Sequence, residues 1–209
     1  MEIKCLPLGD YQANCYVLID EKNKKAAVID PGVPSDELND ILLGYDLGYI
    51  LLTHGHFGHI YGSEVLKELY PEAKLCIHTD DEVCLNSTEY NLAGDFDGYL
   101  PELKADVLIK NGDEIKISDD ITLRVVHTPG HSKGSVCFVD DKNNYMFSGD
   151  TLFCRTVGRT DFIGGSFDEM IDSIILLSTF NEDMIVYPGH NRSTVIGVEK
   201  VKNRYMRKL

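Results

Sequence analysis

The 209-residue chain is poor in positive charge: 20 lysines and arginines stand against 34 aspartates and glutamates, a formal net charge of −14. Such a surface repels polyanions, so nucleic acid is disfavoured as a partner. Some bases do gather near the end (Lys200, Lys202, Arg204, Arg207 and Lys208) and read as the solvated, cationic close of a last helix. The chain lacks any apolar run of the roughly 20 residues that a membrane span needs, so no membrane partner is expected. Met1-Glu2-Ile3-Lys4 lacks the basic start and long apolar stretch of a signal peptide, and a cytoplasmic location is expected. No Cys-x-x-Cys pair occurs among the six cysteines, whose scattered spacing argues against a disulfide framework. Cys5, Cys76 and Cys137 sit in apolar runs and are expected as small buried hydrophobes. Finally, no Pro/Gly/Ser linker divides the chain. With 43% hydrophobic residues it can bury a full core, and one domain over 1–209 is expected.

What is present is an alternation of short apolar runs and turn signals. Residues 2–8, 14–19 and 25–30 read as strands; the third ends in the turn signal Asp30-Pro31-Gly32, where Asp30 reads as a turn residue rather than as support for a ligand. Pro34-Ser35 opens a helix. Strand 49–53, helix 59–69 and strand 73–77 follow, and His78 reads as a strand-end residue before the helix-start signature Thr79-Asp80-Asp81-Glu82. Residues 86–105 are polar, with Tyr90, Phe96 and Tyr99 interspersed, and resemble a surface loop or lid. Strands are expected at 107–109, 114–117, 121–127, 135–140, 144–148 and 184–187, a helix at 167–179 and a terminal helix from Ser193. The halves match in architecture without a sequence repeat. This order fits an α/β (α+β) fold of two face-to-face sheets with helices outside, a four-layer αββα sandwich.

Three of the seven histidines fall in Thr53-His54-Gly55-His56-Phe57-Gly58-His59, just after the apolar run Tyr49-Ile50-Leu51-Leu52. Residues two apart on a strand face the same way, so His54 and His56 can point at one spot, and His59 comes a turn later. Neutral imidazole is the commonest metal ligand. Three further runs repeat the scheme of apolar strand, small turn and potential ligand: Thr128-Pro129-Gly130-His131, Ser148-Gly149-Asp150 and Tyr187-Pro188-Gly189-His190. Glycine before each ligand permits close backbone approach. Together these nitrogen and oxygen donors suit zinc, iron or manganese. Phe57 and Tyr61 are expected to wall the site, and His127 to be packed rather than ligating.

The ordered set His54-x-His56-x-x-His59, Thr128-Pro129-Gly130-His131-Ser132-Lys133-Gly134-Ser135, Ser148-Gly149-Asp150-Thr151-Leu152-Phe153, Gly158-Arg159-Thr160-Asp161-Phe162 and Tyr187-Pro188-Gly189-His190 resembles the metallo-β-lactamase-fold hydrolases, in particular their short glyoxalase II-like branch. The resemblance spans almost the whole chain. It implies a first metal site of His54, His56 and His131, with Asp150 bridging to a second held by His59 and His190. It implies one or two Zn²⁺, with Fe or Mn as alternatives, and hydrolysis of a small thioester or activated ester by a metal-bound hydroxide, Asp150 helping to orient the nucleophile. The helical domain that binds glutathione in full-length relatives would lie beyond this chain's last residue, so that specificity does not carry over. Lys133, Arg155 and Arg159 become candidate contacts for an anionic small-molecule substrate, and Asp161 a candidate support for a ligand histidine.

One position departs from the family. Where it normally has a ligating Asp, this chain has Gly58. Losing a charged oxygen ligand weakens the second site. The outcome is one tightly held metal, two metals with water filling the gap, or reduced activity. Two other readings follow: a mononuclear-iron persulfide dioxygenase using His54, His131 and Asp150, or a weakly active or non-catalytic metal-binding homologue. The sequence leaves oligomeric state open.

Overall fold

The computed structural model describes residues 1–96 and 103–207. The expectations for Tyr99, for the middle of the 86–105 loop and for Lys208 fall outside them. One six-stranded sheet is ordered β1-β2-β3-β4-β5-β6, formed by Glu2–Leu8, Ala13–Asp20, Lys25–Ile29, Asp46–Leu51, Lys74–His78 and Val107–Ile109. The other is ordered β14-β13-β10-β9-β8-β7. Its strands are β7 (Glu114–Lys116), β8 (Thr122–His127), β9 (Val136–Asp140), β10 (Tyr145–Gly149), β13 (Ile185–Pro188) and β14 (Thr194–Val195). A small hairpin, β11 (Leu152–Phe153) with β12 (Thr156–Val157), follows β10. The helices are α1 (Asp36–Leu42), α2 (Phe57–Ile60), α3 (Gly62–Leu69), α4 (Phe167–Ser178) and α5 (Ile196–Lys202).

Three apolar clusters separate four layers. Tyr16, Leu18, Ala27 and Ile29 of the first sheet meet Leu123, Val125, Phe138 and Phe147 of the second. The intervening residues Val17, Ile19, Val28 and Ile50 point the other way, onto Leu38 and Leu42 of α1, Ile60 and Leu66. On the far side, Val126, Cys137, Val139, Met146 and Val186 pack on Met170, Ile174 and Leu177 of α4 and on Ile196. The period of two thus feeds two cores from one strand, and β2, β9 and β10 are buried at every position. The expected αββα sandwich is present.

The structure corrects several local readings. The helix expected over 59–69 is two, because the Gly62 N–H bonds the Pro31 carbonyl at 2.7 Å and draws the backbone aside. Residues Thr79–Asn86 form a 3₁₀ helix, which His78 caps. The strand β14 precedes the last helix. Cys5 is exposed, since β1 is an edge strand whose alternate residues face outward. All six cysteines are free.

The halves also share a local sequence device. Asp20 accepts from the backbone N–H and side-chain amide of Asn23 at 3.1 and 2.8 Å, and Asp140 does the same for Asn143 at 2.8 and 2.8 Å. The following residues, Lys24 and Asn144, both take positive φ, 53° and 60°. Seven residues beyond each Asn, at the far end of the hairpin, stands an aspartate: Asp30 in one half, Asp150 in the other.

Phe138 is fully buried between the sheets. Phe138→Ala should cost about 3–5 kcal/mol in urea unfolding; a loss below about 1 kcal/mol would contradict this placement of the central core.

Candidate metal centre

Strands β8 and β10 both run antiparallel to β9, and β10 is parallel to β13, so all three deliver their C-terminal ends to one edge. His131, Asp150 and His190 follow these ends. Strand β4 of the first sheet brings His54 to the same edge, His56 caps α2 and His59 lies within it. The six residues meet there. His56 Nδ1 and His131 Nε2 are 2.8 Å apart. Asp150 lies 3.5 to 3.7 Å from the Nε2 atoms of His131, His190 and His59. Those separations exceed a hydrogen bond and suit neighbouring ligands of one ion, since metal–nitrogen distances of ~2.0–2.1 Å set ligands about 3.3 Å apart. Potential donor atoms of His54, His56 and His131 lie within 4.8 Å of one another, as do those of His59, Asp150 and His190.

The tautomers follow from fixed partners. The Thr53 hydroxyl donates to Asp30 at 2.6 Å, so at 3.0 Å it accepts from His54 Nδ1–H. His54 Nε2 then carries the lone pair. His59 Nδ1–H donates to Asp30 at 3.1 Å, and His131 Nδ1–H to the Arg159 carbonyl at 2.7 Å, freeing both Nε2 atoms. This orienting of ligand imidazoles by their second nitrogen is the usual support of a metal site. Asp30 therefore sets two rings at once. It adopts a positive φ of 52° and also takes the Thr53 N–H at 2.8 Å. Its reading as only a turn residue was incomplete.

Burial is the largest influence on His54 and His56 and pushes both well below the ordinary imidazole value, with neighbouring imidazoles adding to it. His131 is also lowered, by burial against the opposing pull of Asp150. For His59 burial again lowers, but Asp150 and Asp30 together outweigh it and the net shift is upward. His54 Nε2, His56 Nε2 and Asp150 Oδ1 are buried without a hydrogen-bond partner. Orphaned buried polar atoms are rare, and these three belong to residues of the two donor triplets. The donor set fits a zinc-class or iron ion.

Asp81, which the sequence reading passed over, joins the two His-bearing loops. It accepts from the Gly55 and Gly134 N–H groups at 3.0 and 2.7 Å and from the Ser132 hydroxyl at 2.6 Å. Gly189 is required by close approach: a Cβ there would sit 2.2 Å from Asp150 Oδ1. At Gly58, by contrast, a Cβ would meet nothing within 4 Å.

A cavity of about 820 Å³ opens over the centre, walled by Tyr11, Phe57, Leu92, Phe153 and Phe162, with Gly58 and Arg159 also lining it. Tyr61 lines a smaller neighbouring cleft. Of the proposed anion contacts only Arg159 reaches the cavity. Lys133 borders a separate cleft, and Arg155 is not among the lining residues; its backbone N–H bonds Glu199 at 2.7 Å. Arg192, two residues past His190, lines the cavity and was missed because a lone arginine in a polar turn has no signature. Asp161 does not support a ligand histidine: it is exposed and forms a bidentate pair with Arg159 at 2.7 Å, while the Arg159 main-chain carbonyl holds His131.

The profile described as the metallo-beta-lactamase superfamily matches residues 8–190. The chain belongs to that superfamily. Hydroxyacylglutathione hydrolase GloC of Haemophilus influenzae is 31% identical, over 99% of this chain and 98% of its own. Among solved structures, the BLEG-1 B3 metallo-beta-lactamase superposes with a TM-score of 0.90 at 34% identity, covering 98% of this chain and 99% of that one. TTHA1623 in a di-iron-bound form gives 0.85 at 29%, covering 97% and 99%. Superfamily membership agrees with a metal-dependent hydrolase at the general level. No helix among the described residues is long and apolar enough to cross a membrane.

Two outcomes test the supports. Asp30→Asn should lower metal affinity about 10–100-fold in a competitive chelator titration; unchanged affinity would remove Asp30 from the centre. The second concerns pH. His54, His56 and His131 bind protons less readily when folded than the unfolded value of ~6.5. The unfolded chain therefore takes up more protons on acidification, and stability falls as pH drops through that value. His59 opposes this, as one group against three. The urea midpoint of chelator-treated protein should be lower at about pH 5.5 than at about pH 7.5; an equal or higher midpoint would contradict the shifts.

Proposed function

We propose that the chain is a metal-dependent hydrolase of a small thioester or activated ester, with His54, His56 and His131 holding one metal ion and His59, His190 and Asp150 a second, weaker site. The observation that carries this is that donor atoms of buried His54, His56 and His131 meet within 4.8 Å of one another, as do those of His59, Asp150 and His190, all six residues lining one cavity. When bound, a zinc-class ion would supply Lewis acidity and lower the pKa of a bound water to about 7. The chain's own residues do the rest. Asp150 Oδ1 accepts a hydrogen bond from the attacking water and aims it at the carbonyl carbon. The aromatic wall takes the acyl or thiol portion and excludes bulk water. Arg159 and Arg192 place positive charge beside the cavity for an anionic carrier. Arg159 is already paired with Asp161, whereas Arg192 makes no ion pair among the described residues, so Arg192 is the stronger anion contact. The name of the GloC relative supports a hydroxyacyl thioester as substrate. The six free thiols suit action in the cytoplasm.

Gly58 limits the second metal. Its helical position and open surroundings leave room for a carboxylate. Gly58→Asp should raise second-metal affinity and hydroxyacylglutathione hydrolysis by roughly tenfold or more, the value of one charged contact of ~1.5–3 kcal/mol. Unchanged metal content and rate would sink this account, and faster turnover of a β-lactam than of the thioester would replace the substrate class. A second reading, oxygenation at iron, draws support from the di-iron-bound relative. Oxygen uptake with a persulfide by iron-loaded protein would establish it, and none would dismiss it.

A further inference from the structure

His190 is the least supported ligand of the centre. His54, His56, His59 and His131 are buried, and His190 is only half-buried. The rings of His54, His59 and His131 are each fixed through Nδ1. The His190 ring has no hydrogen bond among the described residues, and its Nε2 lies 3.6 Å from Asp150. Its direction is therefore set by the backbone that carries it, and that backbone is gripped from the opposite sheet.

The grip comes from Asn14 on β2, a buried residue that also lines the cavity. Its backbone N–H donates to the Gly189 carbonyl at 2.7 Å. Its side-chain amide donates to the carbonyls of Pro188 at 2.9 Å and Asn191 at 2.8 Å. Carbonyls only accept, so the amide must turn its NH₂ toward them. Tyr16, two residues along the strand and facing the same way, donates its hydroxyl to the Pro188 carbonyl at 2.7 Å and accepts from the Asn14 amide at 3.2 Å. The carbonyls on both sides of His190 are thus held. Asn191 takes a positive φ of 65°, and Ala13 forms an antiparallel bridge with His190 itself. Pro188 lies 174 residues from Asn14, so this is a tertiary contact that joins the first sheet to the end of β13 in the second.

We infer that Asn14, backed by Tyr16, is a positioning residue for His190 and sets the affinity of the second metal site; this rests on the two-site reading proposed above. Gly58 offers no ligand, so the second ion depends on His59, Asp150 and His190. Ligands must be held closely to the productive geometry by the groups behind them, and with three ligands the displacement of one has no substitute. The first site is independent of this grip. Two of its rings are fixed elsewhere, His54 by the Thr53 hydroxyl and His131 by the Arg159 carbonyl.

The test is equilibrium dialysis of the full chain against graded Zn²⁺, with bound zinc counted by elemental analysis. Wild type should bind a tight first and a weaker second equivalent. Asn14→Ala should weaken the second about tenfold or more and leave the first unchanged. Tyr16→Phe keeps the ring packed and removes one donor; it should weaken the second equivalent about threefold, the size of one neutral hydrogen bond. It decides the matter if Asn14→Ala fails to fold. An unchanged second affinity, or both equivalents weakened alike as a general loss of structure would do, overturns the inference while the two-site reading stands. A wild type that binds a single equivalent at every zinc concentration removes the second site itself, and the inference with it.

Discussion

The Asp30 carboxylate is the contact on which the centre depends. Almost fully buried, it takes the Thr53 N–H, the Thr53 hydroxyl and the His59 ring, and through that hydroxyl it orients His54. Burying a carboxylate is costly unless its oxygens are satisfied, and here three donors meet them. The left-handed backbone at Asp30 costs of order 1–3 kcal/mol, and the surrounding bonds hold it. In return two imidazoles keep their outward lone pairs, which is the state a cation needs.

The architecture places this contact opposite its counterpart. Each half carries the same Asp-x-x-Asn hairpin, and each hairpin ends in an aspartate at the edge shared by both sheets. Asp30 meets one nitrogen of His59 and Asp150 faces the other. The ring is thus held between the halves of the sandwich, with Asp30 on one side and Asp150 on the other. Function follows from layering: three strands of one sheet and one of the other deliver ligands from rigid ends, and only their short loops need be irregular.

Much of this was legible in the sequence because ligands follow apolar strands by fixed, short turns. His54, His56, His131, Asp150 and His190 each sit within a few residues of a strand end, so finding the strands located the ligands. The αββα layering was legible for the same reason. Other features carried no such signal. Asp30 reads as a turn because Asp-Pro-Gly is one; its second role depends on Thr53 and His59, distant in sequence. Asp161 was misassigned because the support of His131 is a main-chain carbonyl, for which any residue would serve. Two-residue strands such as β11 and β12 are too short to show a period, and the break before Gly62 comes from a tertiary bond to Pro31. The hairpin repeat carries little signal because its three shared residues, Asp, Lys and Asn, are ordinary in turns.

The central claim is that the buried imidazoles and Asp150 are arranged for a metal ion. Elemental analysis of the full chain, purified without added metal and compared with a His54→Ala/His56→Ala variant, tests it most directly. The account predicts at least about one equivalent of zinc or iron in the wild type, by the tight binding expected of a three-imidazole site, and its loss in the variant. A wild-type protein that carries no metal and takes up none on dialysis against zinc or iron, or a variant that retains its full complement, would contradict it.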